Sequence, residues 1–485
     1  MTPLRLGRPG WLFLIALLAL AGTLRAYVLW AHAPLHAYAN SYDQTRYTNC
    51  FRFYPDRAAD VPPQQNSPEA PYARYRFIES GDPMCYWSSE LVFTGATAAI
   101  WKLAGGDVHD VRTVGVLRWL AMLALSLALS LAWLRRGDAR AALANAALLP
   151  LLFADPGNTL YLDTFYAEWT ALLAAYALIA TTLLWRDIAY ARWRFAVLAL
   201  AAFLLATAKI QHLLLPLCLG VVLMALDRIR LGRFGWRAGA VLLGALAGTG
   251  VQVAQLHRGG AMMEAIDQYN RADVLFTALL PFAPDRAALL VELGVDPACA
   301  VYSGLHAWEF PDLPENVCKG LDGFTRGTEL ATLAKHPRIA LSLAVHGVLG
   351  LDPWIAKNLG QVEGGDFATI PNLASIGTLL HRSAALQWLL LAIPFLALLV
   401  LLWRPGSRRG SRALEWSALG VTLMIATLGI TVLGDGLADA AKQGHLVVNA
   451  ALACVLAGGF GALLGRRVPS MHDARADRIR EEGRS

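Results

Sequence analysis

The sequence predicts an all-α polytopic membrane protein, and three observations indicate that class. Of the 485 residues, 56% are hydrophobic and 16% are charged, whereas about a quarter of the residues in soluble domains are charged. Residues 11–30, 384–403, 413–433 and 446–464 each approach the ~20 apolar residues that cross a bilayer. Arginine clusters border the apolar stretches, as the positive-inside rule describes for cytoplasmic loops.

These clusters determine the parity of the crossings between them. They comprise Arg135, Arg136 and Arg140; Arg186, Arg192 and Arg194; Arg228, Arg230, Arg233 and Arg237; Arg404, Arg408, Arg409 and Arg412; and Arg466 and Arg467. Because all clusters lie on one side, consecutive clusters must be separated by an even number of crossings. Residues 195–226 are therefore expected to cross twice and to turn at Ala208-Lys-Ile-Gln-His212. We predict about ten spans in the cytoplasmic (inner) membrane, with both termini cytoplasmic.

Two long extracytoplasmic segments divide the chain. The predicted parts are a first transmembrane helix (1–31), an extracytoplasmic loop with surface helices (32–113), transmembrane helices 2–7 (114–256), an extracytoplasmic domain (257–383), transmembrane helices 8–10 (384–464) and a cytoplasmic tail (465–485). Residues 88–104 are half apolar and are expected to form a helix on the outer membrane surface. The first apolar segment follows Arg5 and Arg8, and a cleaved signal peptide is the alternative there.

The cysteines agree with this sidedness. Cys50 and Cys85 share the first extracytoplasmic segment, and Cys299 and Cys318 share the second. Because disulfides form in oxidising compartments, one bridge per segment is predicted, and unpaired thiols are the alternative. No Cys/His spacing indicates a metal site, and no phosphate loop or dinucleotide fingerprint indicates a cofactor. The net charge of +6 is explained by the loop clusters, so no nucleic-acid partner is expected.

Polar residues on the predicted outer side form the candidate site. Asp43 follows the first apolar segment by about ten residues and is the candidate catalytic residue. The candidates for substrate binding lie in three later turns: Asp155, Asp163, Tyr166 and Glu168; Lys209 and His212; and Lys442 and His445. Asp163 and Tyr166 are three residues apart and would share a helix face, with Glu168 on another.

Lys209 and Lys442 are the only cations in the short outer loops, which makes them candidates for contacting a lipid phosphate. Simpler interpretations remain open. Asp43 could cap a helix or pair with Arg46, and Asp155 before Pro156 could be an ordinary turn. The two lysines could extend towards headgroups without binding a substrate.

The layout resembles the GT-C superfamily of integral-membrane glycosyltransferases, which includes protein O-mannosyltransferases and lipid A aminoarabinose transferases. The resemblance rests on Asp43 in Ser-Tyr-Asp-Gln, the surface segment 88–104, and Val111-Arg-Thr-Val-Gly-Val-Leu-Arg118 at the start of the second span. The acidic turn ending at Glu168, the Lys209 turn and Lys442-Gln-Gly-His445 also fit. Many members have a second acidic residue beside the first, but here Gln44 follows Asp43, which argues against a metal there.

The resemblance implies an inverting transfer of a sugar from a polyprenyl-phosphate donor, which is a substrate and not a cofactor. The acceptor would be a glycan, lipid or protein on the extracytoplasmic face. Asp43 would take the proton of the acceptor hydroxyl, a role worth ~10² to 10⁴ in rate.

Two other classes of protein remain as alternatives. An O-antigen-type polymerase or ligase would rely on arginine and histidine in the outer segments: His257, Arg258, Arg271, His381 and Arg382. A membrane transporter would show an inverted repeat or breaks in mid-membrane.

Overall fold

The computed structural model of the protein describes residues 7–31, 35, 37, 42–56, 72–79, 85–351, 379–380, 383–403, 411–438 and 440–463. In chain order the helices are α1 (Arg8–Trp30), α2 (Tyr42–Thr48), α3 (Leu91–Ala104), α4 (Arg112–Arg135), α5 (Ala139–Leu148), α6 (Pro156–Thr159), α7 (Glu168–Leu184), α8 (Arg192–Ala208), α9 (Leu214–Leu231), α10 (Trp236–Arg258), α11 (Ala261–Asp273), α12 (Arg286–Glu292), α13 (Pro314–Val317), α14 (Arg326–Lys335), α15 (Pro337–Leu349), α16 (Ala384–Trp403), α17 (Arg412–Asp435), α18 (Ala440–Gln443) and α19 (His445–Leu463). The strands are β1 (Phe53–Pro55), β2 (Arg74–Phe77) and β3 (His109–Asp110). The all-α polytopic class is confirmed.

The apolar helices coincide with the predicted crossings. Within the described residues, six helices are long and apolar enough to span a membrane, namely α1, α4, α9 with its preceding turn, α10, α16 and α17. The helices α5 and α7 and the apolar stretch His445–Gly459 of α19 are shorter, although π-helix Leu149–Phe153 extends α5 by a turn. Helix α8 has 17 residues and ends at Ala208, and α9 begins at Leu214. The predicted turn at Lys209 therefore separates α8 from α9.

Ion pairs show which helix ends lie together at one end of the bundle. Arg237 at the start of α10 pairs with Asp227 in the last turns of α9 (2.6 Å) and with Glu415 at the start of α17 (2.5 Å). Arg186, which follows α7, also pairs with Glu415, at 2.9 Å. We call this end the arginine face. The opposite end, where α1 ends and α4, α7, α9 and α19 begin, is called the loop face.

The arginine face is more than a row of solvated loop charges. The side chains of Arg237, Asp227 and Glu415 are buried there. Because a buried guanidinium needs compensation, two carboxylates around one arginine make its burial tolerable. In the sequence, the arginine clusters indicated which side of the membrane the loops face. In the structure, Arg186 and Arg237 from these clusters also link α7, α9, α10 and α17.

Helices α8 and α10 approach each other through glycine. A Cβ at Gly244 would overlap the backbone carbonyl of Ala199, and one at Gly248 would lie 2.6 Å from Cβ of Ala206. Small residues allow close backbone approach, which is a main source of helix association inside a membrane. The position of α8, and with it Lys209 at its end, therefore depends on these glycines.

We predict that Gly244→Val lowers the free energy of unfolding by ~1–3 kcal/mol, because the Ala199 backbone cannot move aside without displacing α8. Thermal unfolding of the purified protein in detergent measures the effect. Gly250→Val is the matched control, since a Cβ at Gly250 meets no atom of the described chain within 4 Å. Equal losses in the two variants would show that valine itself, and not the helix contact, is responsible.

The first loop segment builds a small aromatic core on the loop face. The three strands pair antiparallel in the order β1-β2-β3, with Phe53 opposite Phe77 and Tyr75 opposite His109. The Phe53 ring lies 5.0 Å from the rings of both Trp101 in α3 and Phe165. The sheet thus fixes α3 against the acidic turn that precedes α7.

Both predicted cysteine pairs are bonded in the structure. Cys50 and Cys85 are joined with Cα atoms 4.6 Å apart, and Cys299 and Cys318 with Cα atoms 5.9 Å apart. The first bridge connects the turn after α2 to the segment before α3. The second lies within a separate apolar core that α11–α15 form, and this core also contacts α17 through Val432.

Candidate functional site

Asp43 forms an ion pair with a residue from the far end of the chain. Its Oδ2 accepts a hydrogen bond from Nζ of Lys442 at 2.7 Å, and its Oδ1 lies 2.8 Å from Nη2 of Arg46. Asp43 is in the first turn of α2, and Lys442 is in the one-turn helix α18. The suggested pairing with Arg46 is therefore present, but Lys442 adds a second cation.

A second ion pair lies beside the first. Lys209 has an extended backbone between α8 and α9, and its Nζ donates to Oε1 of Glu168 at the start of α7. Both side chains are buried, and Oε2 of Glu168 has no hydrogen-bond partner in the described part of the chain. A buried carboxylate oxygen without a donor is a group that a ligand or water can satisfy.

His445 and Tyr166 connect the two pairs. The ring nitrogens of His445 lie 3.1 Å from the backbone carbonyls of Glu168 and Lys442. The Tyr166 ring lies 5.8 Å from Nζ of Lys442, within cation–π range, and Tyr161 packs its ring on His445. This arrangement brings α7, α18 and α19 together on the loop face.

We call Asp43, Arg46, Glu168, Lys209 and Lys442 the ion-pair cluster. It contains three cations and two carboxylates, so it carries a positive excess. Burial raises the pKa of Asp43, but the charges of Arg46, Lys442 and Lys209 outweigh burial and hold that pKa well below its ordinary value. Asp43 is therefore ionised in the resting protein, and the cluster has the electrostatic character of an anion site.

Tyr86 is a site residue that sequence analysis missed. Its hydroxyl accepts a hydrogen bond from the backbone N–H of Ile210 at 2.8 Å and contacts Oε1 of Gln252 at 3.4 Å. Burial raises its pKa to about 12, so it remains a neutral phenol. Since Cys85 is its neighbour, the disulfide to Cys50 helps to hold Tyr86 against the turn that carries Lys209. An aromatic residue beside a predicted bridge was the available signal.

Arg118 is the second site residue that sequence analysis missed, although it is the last residue of the Val111–Arg118 motif at the start of α4. Its guanidinium is fully buried and donates to Glu90 Oε1 at 2.6 Å. It also donates to four backbone carbonyls of the acidic turn, those of Tyr161, Leu162, Thr164 and Tyr166, at 2.5–3.0 Å. One side chain from α4 therefore shapes the turn that precedes Glu168.

That turn corrects one step of the sequence argument. Residues 160–167 are not helical, and four of their carbonyls accept hydrogen bonds from Arg118 in place of helical N–H groups. Asp163 and Tyr166 consequently do not share a helix face. Tyr166 contacts Lys442, whereas Asp163 lies near Gly115 in α4.

The remaining predicted residues divide between the cluster and its surroundings. His212 is buried near Lys209 and His445, and its Nδ1 has no partner among the described residues. Asp155 caps α6 and lies 3.3 Å from Nη2 of Arg25 in α1. The turn interpretation of Asp155 is thus present in the structure, where the residue also pairs with α1.

The residues of the polymerase or ligase alternative are dispersed. Arg271 pairs with Asp267 and Glu315 inside the second loop segment, and Arg258 lies 5.2 Å from the Trp87 ring. His257 contacts the carbonyl of Val253 one turn earlier in α10. His381 and Arg382 lie outside the described residues. Across the described ranges, no three His, Cys, Asp or Glu side chains are grouped to hold a metal ion.

An antiparallel bundle of apolar helices with buried ion pairs at both ends defines an α-helical polytopic membrane protein. Residues 67–318 match the family described as the YfdI N-terminal transmembrane domain, just over half of the chain. The chain belongs to that family. The match includes Glu168 and Lys209 but neither Asp43 nor Lys442. A comparison with curated proteins finds no match.

Proposed function

We propose that the protein is a GT-C-type glycosyltransferase that moves a sugar from a polyprenyl-phosphate donor to an envelope acceptor. In this proposal the loop face is extracytoplasmic and the protein lies in the cytoplasmic membrane. The observation that carries the proposal is the Asp43–Lys442 pair beside the Glu168–Lys209 pair. A carboxylate base and an excess of cations, both at the end of a membrane bundle, are what transfer from an anionic lipid requires.

The donor phosphate would bind the cations of the cluster. When the phosphate pairs with Lys442 and Arg46, these cations interact less strongly with Asp43. The pKa of Asp43 then rises from its depressed value. Asp43 becomes a better base only when the donor is present. The resting ion pair therefore couples donor binding to activation of the carboxylate.

The reaction proceeds by a single displacement at the anomeric carbon. The Asp43 carboxylate takes the proton of the acceptor hydroxyl, and the acceptor oxygen forms a bond to that carbon. The bond between the anomeric carbon and the phosphate oxygen breaks, and its electron pair leaves with the polyprenyl phosphate. Because the phosphate departs with added negative charge, Lys209 and Lys442 stabilise the transition state, and the anomeric configuration inverts.

An apolar cavity of about 50 Å³ supports a lipid-linked donor. It lies between α5, α7, α17 and α19, and its lining includes Leu172, Trp416 and Ala450. Leu172 is one helical turn from Glu168, so one end of the cavity approaches the ion-pair cluster, whereas Trp416 follows Glu415 and places the other end near the arginine face. A lipid whose phosphate sits in the cluster would have apolar volume available for the start of its chain.

The test is a mass-spectrometric comparison of envelope glycans and polyprenyl-phosphate sugars in wild-type, deletion and complemented strains. Loss of one sugar from a glycan in the deletion, with accumulation of the corresponding lipid-linked donor, supports the proposal and identifies the sugar. A missing glycan with an unchanged donor pool would favour a polymerase or ligase. Unchanged glycans and donor pools would contradict transfer and favour transport.

We predict that Lys442→Ala moves the acidic limit of transfer activity to higher pH. Burial raises the pKa of Asp43 and the neighbouring cations lower it, so removing Lys442 raises this pKa. The carboxylate is then protonated at a pH where the wild-type residue is still ionised. A pH profile of transfer in membranes measures the change, with Lys442→Arg as the charge-retaining control. A profile for Lys442→Ala that overlays the wild-type one would show that Lys442 does not tune Asp43.

A further inference from the structure

Helix α15 of the second loop segment has an apolar face that the described part of the protein does not cover. Leu341, Val345 and Leu349 follow one another at helical spacing, and they are 68%, 40% and 46% exposed. The opposite face of the helix, with Leu343 and Gly347, is buried. We call the row of Leu341, Val345 and Leu349 the α15 stripe.

The transmembrane helix α17 shows at which depth the C-terminal half of α15 lies. No charged residue stands between Glu415 and Asp435 of α17, a stretch of about 30 Å at ~1.5 Å per residue, which equals the thickness of the hydrocarbon core. A Cβ at Gly347 would lie 2.7 Å from Cγ2 of Val432 and 3.5 Å from Cδ1 of Leu428. Val432 and Leu428 lie roughly 5 and 10 Å below Asp435 along the helix axis. The second half of α15 therefore packs on α17 at the depth of the acyl chains.

Charged side chains show where the polar boundary of the membrane lies. The guanidinium of Arg326, in the first turn of α14, donates to the backbone carbonyls of Leu433 and Gly434, and its side chain is half exposed. Lys335 ends α14 and pairs with Glu292 at 2.7 Å on the surface of the protein. Because exposed charges avoid hydrocarbon, both ends of α14 lie in the polar zone, and α15 descends from it.

The C-terminal end of α15 joins the transmembrane core. Leu351, two residues after the helix, is buried in that core, and a Cβ at Gly444 would overlap its side chain. Gly444 stands between α18, which carries Lys442, and α19. The stripe thus begins near an exposed ion pair and ends at the level of the transmembrane helices. Apolar side chains that are exposed over this range of depth have acyl chains, and not water, as their surroundings.

We infer that the α15 stripe is a lipid-contact surface, inserted obliquely into the leaflet next to the loop face. Arg338, in the first turn of α15, is exposed on the same side of the helix as Leu341 and Val345. Its guanidinium is placed to contact a lipid phosphate where the helix enters the leaflet. The second loop segment is then anchored in the bilayer, and the surface holds whether or not the protein transfers a sugar.

Spin labels along α15 test this placement in the full-length protein, reconstituted into phosphatidylcholine–phosphatidylglycerol vesicles. Each label is attached to one introduced cysteine in a protein with Cys218→Ala and Cys454→Ala and with both disulfides intact. Collision of the label with O₂, which concentrates in lipid, is compared with collision with a water-soluble Ni²⁺ chelate. Labels at Val345→Cys and Leu349→Cys should give an O₂-to-Ni²⁺ ratio several-fold above that at Lys335→Cys, the water-exposed control before the helix. The ratio at Leu341→Cys should be intermediate.

Thermal unfolding in detergent shows whether each labelled protein is folded, and Ala344→Cys, which is exposed on α15, replaces a variant that is not. A ratio that rises from position 335 to position 349 supports the lipid-contact surface. Strong collision with Ni²⁺ at Val345→Cys and Leu349→Cys would overturn it, because the stripe would then face water above the bilayer. Weak collision with both reagents would also overturn it, because a protein partner or a second copy of the chain would then cover the stripe.

Discussion

Asp43→Asn is expected to reduce transfer by ~10² to 10⁴ while the protein still folds, because the amide keeps the size of the side chain but cannot take a proton. Asparagine keeps one of the two acceptor oxygens, so it can retain the contact to Lys442 or the contact to Arg46, but its NH2 group cannot accept the other. The measurement is the rate of sugar transfer in membranes, with the donor pool quantified by mass spectrometry.

Two variants control for indirect effects of this change. Asp56→Asn also removes a carboxylate from an ion pair, that with Arg76 at 2.5 Å, but next to the small sheet and away from the cluster. It should leave transfer intact. Asp43→Glu retains the base on a longer side chain and should recover part of the rate. Full activity of Asp43→Asn would contradict the role of Asp43 as the proton acceptor.

Arg118→Ala is expected to lower the free energy of unfolding by ~3–5 kcal/mol, because it leaves the buried Glu90 carboxylate without its cation. Burial already raises the pKa of Glu90 in the presence of Arg118. The carbonyls of the acidic turn lose their donor at the same time. Thermal unfolding in detergent and the yield of folded protein in membranes report the loss.

A double variant distinguishes an unpaired charge from the loss of packing. If the unpaired Glu90 causes most of the destabilisation, Glu90→Leu combined with Arg118→Met should be more stable than Arg118→Ala alone. Arg135→Ala, at the exposed end of the same helix, is the control for removing an arginine from α4. Wild-type stability of Arg118→Ala would show that the turn does not depend on its guanidinium.

Most of the fold could be predicted because hydropathy and arginine placement act locally along the chain. Each span can be recognised from its own ~20 residues, and each basic cluster from its own loop. The double crossing around Lys209 was found in this way, since two clusters enclosed one long apolar stretch. The buried role of Arg237 was not found, because a loop arginine and a buried one look alike in sequence.

The site was predicted less completely because its contacts are long-range. Residue types on one face identified Asp43, Glu168, Lys209 and Lys442 as candidates, but no local pattern indicates which carboxylate pairs with which lysine. Arg118 was hidden within an apolar span, where its four carbonyl acceptors come from a turn more than forty residues later. Asp163 was assigned to a helix face because spacing alone cannot show that the backbone there is irregular.

The pairing of Asp43 with Lys442 also has a consequence for biosynthesis. The two residues are separated by 399 positions, which a ribosome elongating at ~5–20 residues per second covers in ~20–80 s. During that interval the early carboxylate has already left the ribosome, but its late partner does not yet exist. The proposed centre can therefore form only after nearly the whole chain has been synthesised, and a nascent or prematurely terminated chain lacks the Asp43–Lys442 pair.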